Sequence, residues 1–182
     1  MPAYGYAVIL VGTVLWFAPF IVNRFNFRSP QTVDRRARWG MLFELVAYSL
    51  LWQGTFWTRS PRVWQTAISV LFFGVASLLS WSGARVLGRE LRLDAAIGED
   101  HELIRSGPYR VVRHPIYTSL LCVILGTGIL IAQPWMLLVS IVLFIIGTEI
   151  RVRVEDGLLA SRFGMEFRDY RSTTARYIPF LW

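Results

Sequence analysis

The 182-residue sequence has no lysine, one cysteine, two histidines and only 17% charged residues. Each scarcity narrows the field. A single cysteine, Cys122, excludes an intrachain disulfide and a cysteine-based metal site. It stands inside an apolar run, where a thiol serves as a small hydrophobe. The histidines, His101 and His114, have Glu99, Asp100 and Glu102 nearby, but their spacing matches no familiar zinc pattern, so no metal is expected. A soluble domain would carry roughly a quarter charged residues; with 54% hydrophobic residues and a mean hydropathy of +0.45, this chain is built for lipid. Internal repeats, low-complexity tracts and flexible linkers are missing too, which leaves one membrane domain over residues 1–182.

What is present is arginine and long apolar runs. The net charge of +7 would raise nucleic acid as a partner in a soluble protein. Here the arginines flank apolar segments, so membrane lipids are the expected partner and nucleic acid is not.

Five apolar stretches cover residues 4–22, 39–57, 63–81, 115–132 and 135–150. Each approaches the roughly 20 residues that cross the hydrocarbon at about 1.5 Å per residue. The last two are joined by Gln133 and Pro134 alone, which predicts a tight helical hairpin. The first stretch has no basic residue before it and no small-residue cleavage site after it, so an uncleaved span is expected. Connections 23–38, 82–114 and the tail from 151 hold seventeen arginines, against two in 58–62. That asymmetry predicts N-out, C-in, with the arginine-rich ends in the cytoplasm. Trp39, Trp52, Trp57, Trp64, Trp81 and Trp135 fall near the ends of the stretches, as interface anchors do. The expected fold is therefore an all-α integral membrane protein. Residues 1–84 read as a three-helix scaffold, and 85–182 as the functional half.

Two segments concentrate the ionisable groups. In the first, Gly107-Pro108 marks a turn, and Pro115 suits the first position of a helix, where its missing N–H is no loss. Arg113 and His114 then lie at a helix N-terminus on the membrane surface, a place that favours an anion. Ligand site and headgroup anchor both remain open for them. The second is Glu149-Ile-Arg151-Val-Arg153-Val-Glu155-Asp156, a continuation of the fifth helix with Arg151 and Glu155 one turn apart. Beyond it Leu159, Phe163, Phe167 and Tyr170 form a stripe at spacings of four, four and three, which predicts an amphipathic C-terminal helix. Ordinary juxtamembrane ion pairs would produce the same charge run. Glu44 is six residues past Arg38 and reads as a snorkelling or paired interfacial acid.

Taken together the segments resemble the isoprenylcysteine carboxyl methyltransferase family, whose relatives include phospholipid methyltransferases. The resemblance rests on His101-x-Leu103-Ile104-x-Ser106-Gly107-Pro108-Tyr109-x-x-x-Arg113-His114-Pro115-x-Tyr117. Pro134 follows at the hairpin turn. Then comes Arg151-x-x-x-Glu155-Asp156-x-x-Leu159-x-x-x-Phe163-Gly164-x-x-Phe167-x-x-Tyr170, with Arg176, Ile178 and Pro179 after it. It covers roughly residues 85–180. The family's paired glutamates are Glu155-Asp156 here, and a usual tyrosine is Phe167.

The resemblance implies an S-adenosylmethionine-dependent methyltransferase; the arginine asymmetry puts its site on the cytoplasmic face, and the all-arginine, compact chain suggests a bacterial inner membrane. The acceptor would be a lipophilic or lipid-linked molecule, foremost a carboxylate, arriving sideways from the bilayer. It further implies a cofactor held by His101, Leu103, Tyr109, Arg113, His114, Pro115, Tyr117 and Leu159, with catalytic roles for Arg151, Glu155 and Asp156. Two other readings stand beside it: an NADPH-dependent membrane reductase of the sterol-reductase type, which shares an Arg-His-Pro-x-Tyr element, and a non-catalytic lipid-binding membrane protein. The sequence leaves the oligomeric state open.

Overall fold

The computed structural model describes residues 1–22, 32–55, 58, 60–88, 91, 96–97 and 102–178. Six α-helices account for most of them: α1 (Ala3–Val22), α2 (Ala37–Leu51), α3 (Val63–Leu87), α4 (Pro115–Ile131), α5 (Pro134–Phe163) and α6 (Met165–Thr173). A two-residue strand pair, β1 (Thr32–Val33) against β2 (Ala96–Ile97), joins two of the connections. The protein is an all-α membrane protein.

The five expected stretches correspond to α1–α5, with corrections at their ends. Helices α1, α3 and α5 are long and apolar enough to cross a membrane, whereas α4 has 17 residues and α2 only 15. The second stretch was expected to run to residue 57, but α2 stops at Leu51, capped by Trp52 before Gln53-Gly54. Trp57 lies outside the described residues. In the other direction α5 runs thirteen residues past the predicted end of its apolar run, carrying the charged segment out on the same helix. The predicted hairpin is present, with only Ala132 and Gln133 between α4 and α5.

Helix α4 is the centre of the bundle. It is buried over most of its circumference, including Tyr117, Ser119, Cys122 and Thr127, as expected of a helix apolar on every side. Outward faces of α1, α2, α3 and α5 expose Leu10, Leu45, Leu71 and Leu138, which suits lipid rather than water. In hydrocarbon the helices gain nothing from apolar contact as such, so close packing and interhelical hydrogen bonds hold them together. Ser80 on α3 donates to the Trp16 carbonyl of α1 at 2.6 Å, and Ser69 donates to the Gly126 carbonyl of α4 at 2.7 Å. Trp81, expected as an interface anchor, donates instead to the Leu15 carbonyl at 3.0 Å. Trp39, Trp64 and Trp135 are exposed at the starts of their helices, as anchors should be.

Helices α2 and α5 pack closely along much of α2. Ala37, Gly40, Glu44, Ala47 and Leu51 bury one seam of α2 at spacings of three and four. Gly40 and Gly147 meet in this seam. A Cβ on Gly40 would lie 2.4 Å from the Gly147 carbonyl oxygen and 2.4 Å from Cγ of Arg151. Backbone cannot yield there, so Gly40→Ala is expected to push the helices apart and destabilise by about 1–3 kcal/mol. Thermal unfolding in detergent checks this, with Gly74→Ala, which meets nothing within 4 Å, as the neutral control.

The predicted C-terminal stripe is divided. Gly164, at φ +51°, ends α5 and starts α6. An L side chain resists that conformation, so glycine is what permits the change of direction. Phe167 and Tyr170 are buried under α6, while Leu159 and Phe163 stay half-buried on α5.

Candidate active site

The site begins with a turn. Gly107 has φ +59°, and a Cβ there would come within 2.9 Å of Val86 on α3, so both conformation and space require glycine. Pro108 then starts a single 3-10 turn, Gly107–Arg110. The chain extends through Val112 and forms a parallel bridge with Ala175. The Arg113 amide donates to the Ala175 carbonyl at 2.8 Å, and the His114 amide donates to the Arg176 carbonyl at 3.2 Å. Pro115 opens α4 without an N–H to satisfy. The tail after α6 thus satisfies the backbone just ahead of α4.

Side chains reinforce the docking. Tyr170 donates to the Tyr109 carbonyl at 2.6 Å, and Thr118 donates to the Tyr177 carbonyl at 2.8 Å. The buried Arg113 guanidinium donates to the carbonyls of Arg171, at 3.0 Å, and Thr174. Glu149 on α5 accepts from Arg176 at 2.8 and 2.9 Å, from Tyr177 at 3.0 Å and from Arg153 one turn away at 2.8 Å.

At the centre, α4 and α5 bring the two charged segments together. His114 Nε2 is 3.0 Å from Asp156 Oδ1, and its Nδ1 is 3.6 Å from Glu155 Oε2. Arg113 Nη2 is 3.8 Å from Asp156 Oδ2. Tyr117, in the first turn of α4, donates a hydrogen bond to Glu155. The Arg151 guanidinium lies over the Tyr117 ring, 4.9 Å from its centroid, a cation–π contact in a water-poor setting. Arg151 also donates to Glu44 Oε2 of α2 at 2.8 Å, while Thr148 donates to Glu44 Oε1 at 3.1 Å. The result is one line of contacts: Thr148, Glu44, Arg151, Tyr117, Glu155, His114, Asp156 and Arg113.

The Asp156 carboxylate lies beside the start of α4, against the side chains of His114 and Arg113. Six of the residues singled out by sequence meet here: Arg113, His114, Tyr117, Arg151, Glu155 and Asp156. Pro115 shapes the corner, and Tyr109 joins through its backbone carbonyl. Leu103 and Leu159 are half-buried, the first ahead of the Gly107 turn and the second a turn beyond Glu155. His101 lies outside the described residues. Sequence reasoning left Glu44 to the interface and did not foresee the Glu149–Arg176–Tyr177 clamp. A lone acid in an apolar stretch was the available signal for Glu44.

Burial sets the ionisation of the groups around the turn. It lowers the Arg113 guanidinium, against the opposing pull of Asp156. It raises the Tyr109 phenol well above its ordinary value, helped by the Glu155 charge. It also pushes Tyr170 up to about 12, with Arg113 opposing. A phenol whose folded value exceeds its unfolded value of 10.0 contributes stability that is fully present below pH 10 and lost as pH rises towards 12. Unfolding midpoints are thus expected to fall above pH 10, with a shallower slope in Tyr170→Phe. At pH 8 that variant should lose about 1 kcal/mol for the missing hydrogen bond. Thermal melts between pH 8 and 11 measure both.

Several known proteins are similar to the chain in sequence. The chain is 30% identical over 153 residues to the cobalt-zinc-cadmium resistance protein CzcN of Cupriavidus metallidurans, covering 81% of this chain and 65% of that protein. It is 32% identical over 82 residues to the protein-S-isoprenylcysteine O-methyltransferase of Saccharomyces cerevisiae, covering 45% of this chain and 34% of the enzyme. The Arabidopsis thaliana protein-S-isoprenylcysteine O-methyltransferase A is 31% identical over 87 residues, covering 46% and 42%. The chain thus spans about a third to two thirds of the length of these relatives. The profile of the phospholipid methyltransferase family matches residues 64–166, more than half of the chain. That span starts earlier than the resemblance seen by motif, taking in α3 as well as the α4–α5 hairpin and the acidic pair. By that match the chain belongs to the phospholipid methyltransferase family.

Proposed function

We propose that the chain is a membrane methyltransferase that uses S-adenosylmethionine to methylate a lipophilic or lipid-linked acceptor, foremost a carboxylate. The observation that carries the reading is the meeting of Arg151, Tyr117, Glu155, His114 and Asp156 where α4 begins and α5 leaves the apolar zone. The relatives' names support the acceptor class, since several are protein-S-isoprenylcysteine O-methyltransferases.

The donor set suits a cationic cofactor. Among the described residues Asp156 Oδ2 is buried with no hydrogen-bond donor, Arg113 Nη2 standing 3.8 Å away, and Glu155 keeps 26% of its side chain exposed. Such acceptors fit ammonium and hydroxyl groups, and carboxylates with aromatic faces stabilise a sulfonium. When bound, S-adenosylmethionine supplies an electrophilic methyl carbon. Glu155, Asp156 and His114 would hold its polar groups, with Tyr117 beside them. His101, Leu103, Tyr109 and Leu159 are the proposed remaining contacts, and Arg113 with Pro115 fixes the corner that presents them.

The other side of the reaction belongs to Arg151. An acceptor carboxylate is already ionised at neutral pH and needs no base. It needs orientation and exclusion of water, which a planar guanidinium near the end of the hydrocarbon provides. For an amine acceptor, Glu155 would take the proton instead. The arginine distribution supports a cytoplasmic location for this end of the bundle, with the N-terminus outside. A long-chain acceptor then approaches within the bilayer while the cofactor arrives from water.

Calorimetry on the purified protein in detergent tests the reading. S-adenosylmethionine and its demethylated product are expected to bind at micromolar concentration, with Glu155→Gln weakening both about tenfold or more. Transfer of labelled methyl to S-farnesylcysteine, rather than to phosphatidylethanolamine, would identify the carboxylate acceptor. Absence of binding at millimolar concentration by folded protein would overturn the proposal.

A further inference from the structure

We infer that Glu44 on α2 is a positioning residue for Arg151, which makes the front half of the chain a working part of the site. The inference deepens the function proposed above and rests on it for its kinetic consequence. Glu44 lies outside the family-matched segment 64–166, so the counter-ion of Arg151 comes from elsewhere in the chain.

The α2 seam is shaped for this contact. Gly40 stands one turn before Glu44 and leaves room for the Arg151 stem, whose Cγ would otherwise meet a Cβ at 2.4 Å. Both oxygens of Glu44 are engaged, Oε1 by Thr148 and Oε2 by Arg151, so the carboxylate cannot turn without breaking a bond. Its side chain is 8% exposed, and that of Arg151 is 12% exposed. An acid on an otherwise apolar seam is expensive to keep there, and a bond to structure alone could be replaced by good apolar packing.

Among the described residues, two contacts locate the guanidinium. Glu44 fixes one terminal nitrogen, and the Tyr117 ring lies beneath the plane. Without Glu44 the attraction of Glu155 for the same cation is no longer opposed from α2, and the guanidinium shifts towards Glu155. That would occupy the carboxylate which Tyr117 and His114 now hold, and would remove the cation from the acceptor. A purely architectural ion pair predicts lost stability alone; a positioning residue predicts lost turnover in folded protein.

The test uses full-length protein in lipid nanodiscs, as wild type, Glu44→Gln and Glu44→Asp. Peptide-resolved modification by phenylglyoxal reads how firmly Arg151 is held, independently of activity. In Glu44→Gln, Arg151 is expected to react about tenfold faster than in wild type, with Arg153 unchanged as internal control. Methyl transfer to S-farnesylcysteine is read in parallel, with S-adenosylmethionine affinity by calorimetry. In Glu44→Gln, kcat is expected to fall about 10²-fold, with cofactor affinity unchanged within twofold. Glu44→Asp, which keeps the charge on a shorter stem, is expected to recover part of both effects and serves if the glutamine variant fails to fold. An unchanged Arg151 modification rate in the variants overturns the inference whether or not the wild type transfers methyl. Faster modification with undiminished kcat overturns the positioning role as well. Failure of the wild type to bind S-adenosylmethionine is a different result, and counts against the proposed function itself.

Discussion

Arg151→Met is expected to abolish methyl transfer and to destabilise the fold by roughly 3–5 kcal/mol. Methionine keeps most of the stem's volume, so the loss is chiefly that of the charge. Glu44 is then left on the α2 seam, 8% exposed, bonded to Thr148 but facing no cation. Tyr117 loses the cation above its ring as well. The double variant Arg151→Met/Glu44→Leu separates the two consequences. Replacing both members of a buried pair with apolar residues is often neutral or stabilising, so unfolding should return near the wild-type midpoint. Transfer should not return, because the Arg151 guanidinium that orients the acceptor is gone. Unfolding in detergent and transfer of labelled methyl measure the two sides, and a double variant that regains activity would sink the assignment of Arg151.

The second large effect is expected at Asp156. Its carboxylate takes the His114 contact at 3.0 Å and lies 3.8 Å from Arg113, with both partners buried. Asp156→Asn keeps the shape and removes the charge, leaving Arg113 beside a neutral amide that can turn a donor towards it. A loss of about 3 kcal/mol or more is expected, since Arg113 becomes an uncompensated buried cation. Arg113 also holds the carbonyls of Arg171 and Thr174, so the tail should loosen first. Limited proteolysis after α6, compared with global unfolding, reads that order. Asp156→Glu keeps the charge and adds one methylene, with an expected change of about 1–3 kcal/mol from overpacking. The resembling family's paired glutamates make this variant informative, because here the shorter side chain already reaches His114.

Why some of this was legible in the sequence follows from the range of the interactions. The helix positions came from apolar length, and the hairpin from the shortness of the Gln133-Pro134 link. The two charged segments stood out because ionisable groups are expensive beside hydrocarbon. Glu44 carried the same signal, but Arg38 six residues away supplied a local explanation that hid its partner on α5. The pairing of Val112 with Ala175 links residues far apart in sequence and has no local signature. Likewise the clamp of Glu149 on Arg176 and Tyr177 depends on where the tail folds back. The apolar stripe through Phe163 and Phe167 argued for one continuous helix, whereas the positive φ of Gly164 ends α5 between them.

The shortness of the apolar part of α5 bears on where in a cell membrane such a protein settles. From Pro134 to Thr148 the helix rises about 22 Å before the first charge at Glu149, against a hydrocarbon thickness of about 30 Å. Helix α4, at 17 residues, rises about 26 Å and also falls short of that thickness. This hydrophobic mismatch draws the headgroups inward around the hairpin, and a bilayer of shorter acyl chains accommodates it with less deformation. Lateral sorting into thin, fluid regions follows, and there the ionic end of the hairpin sits within reach of chains that never leave the membrane.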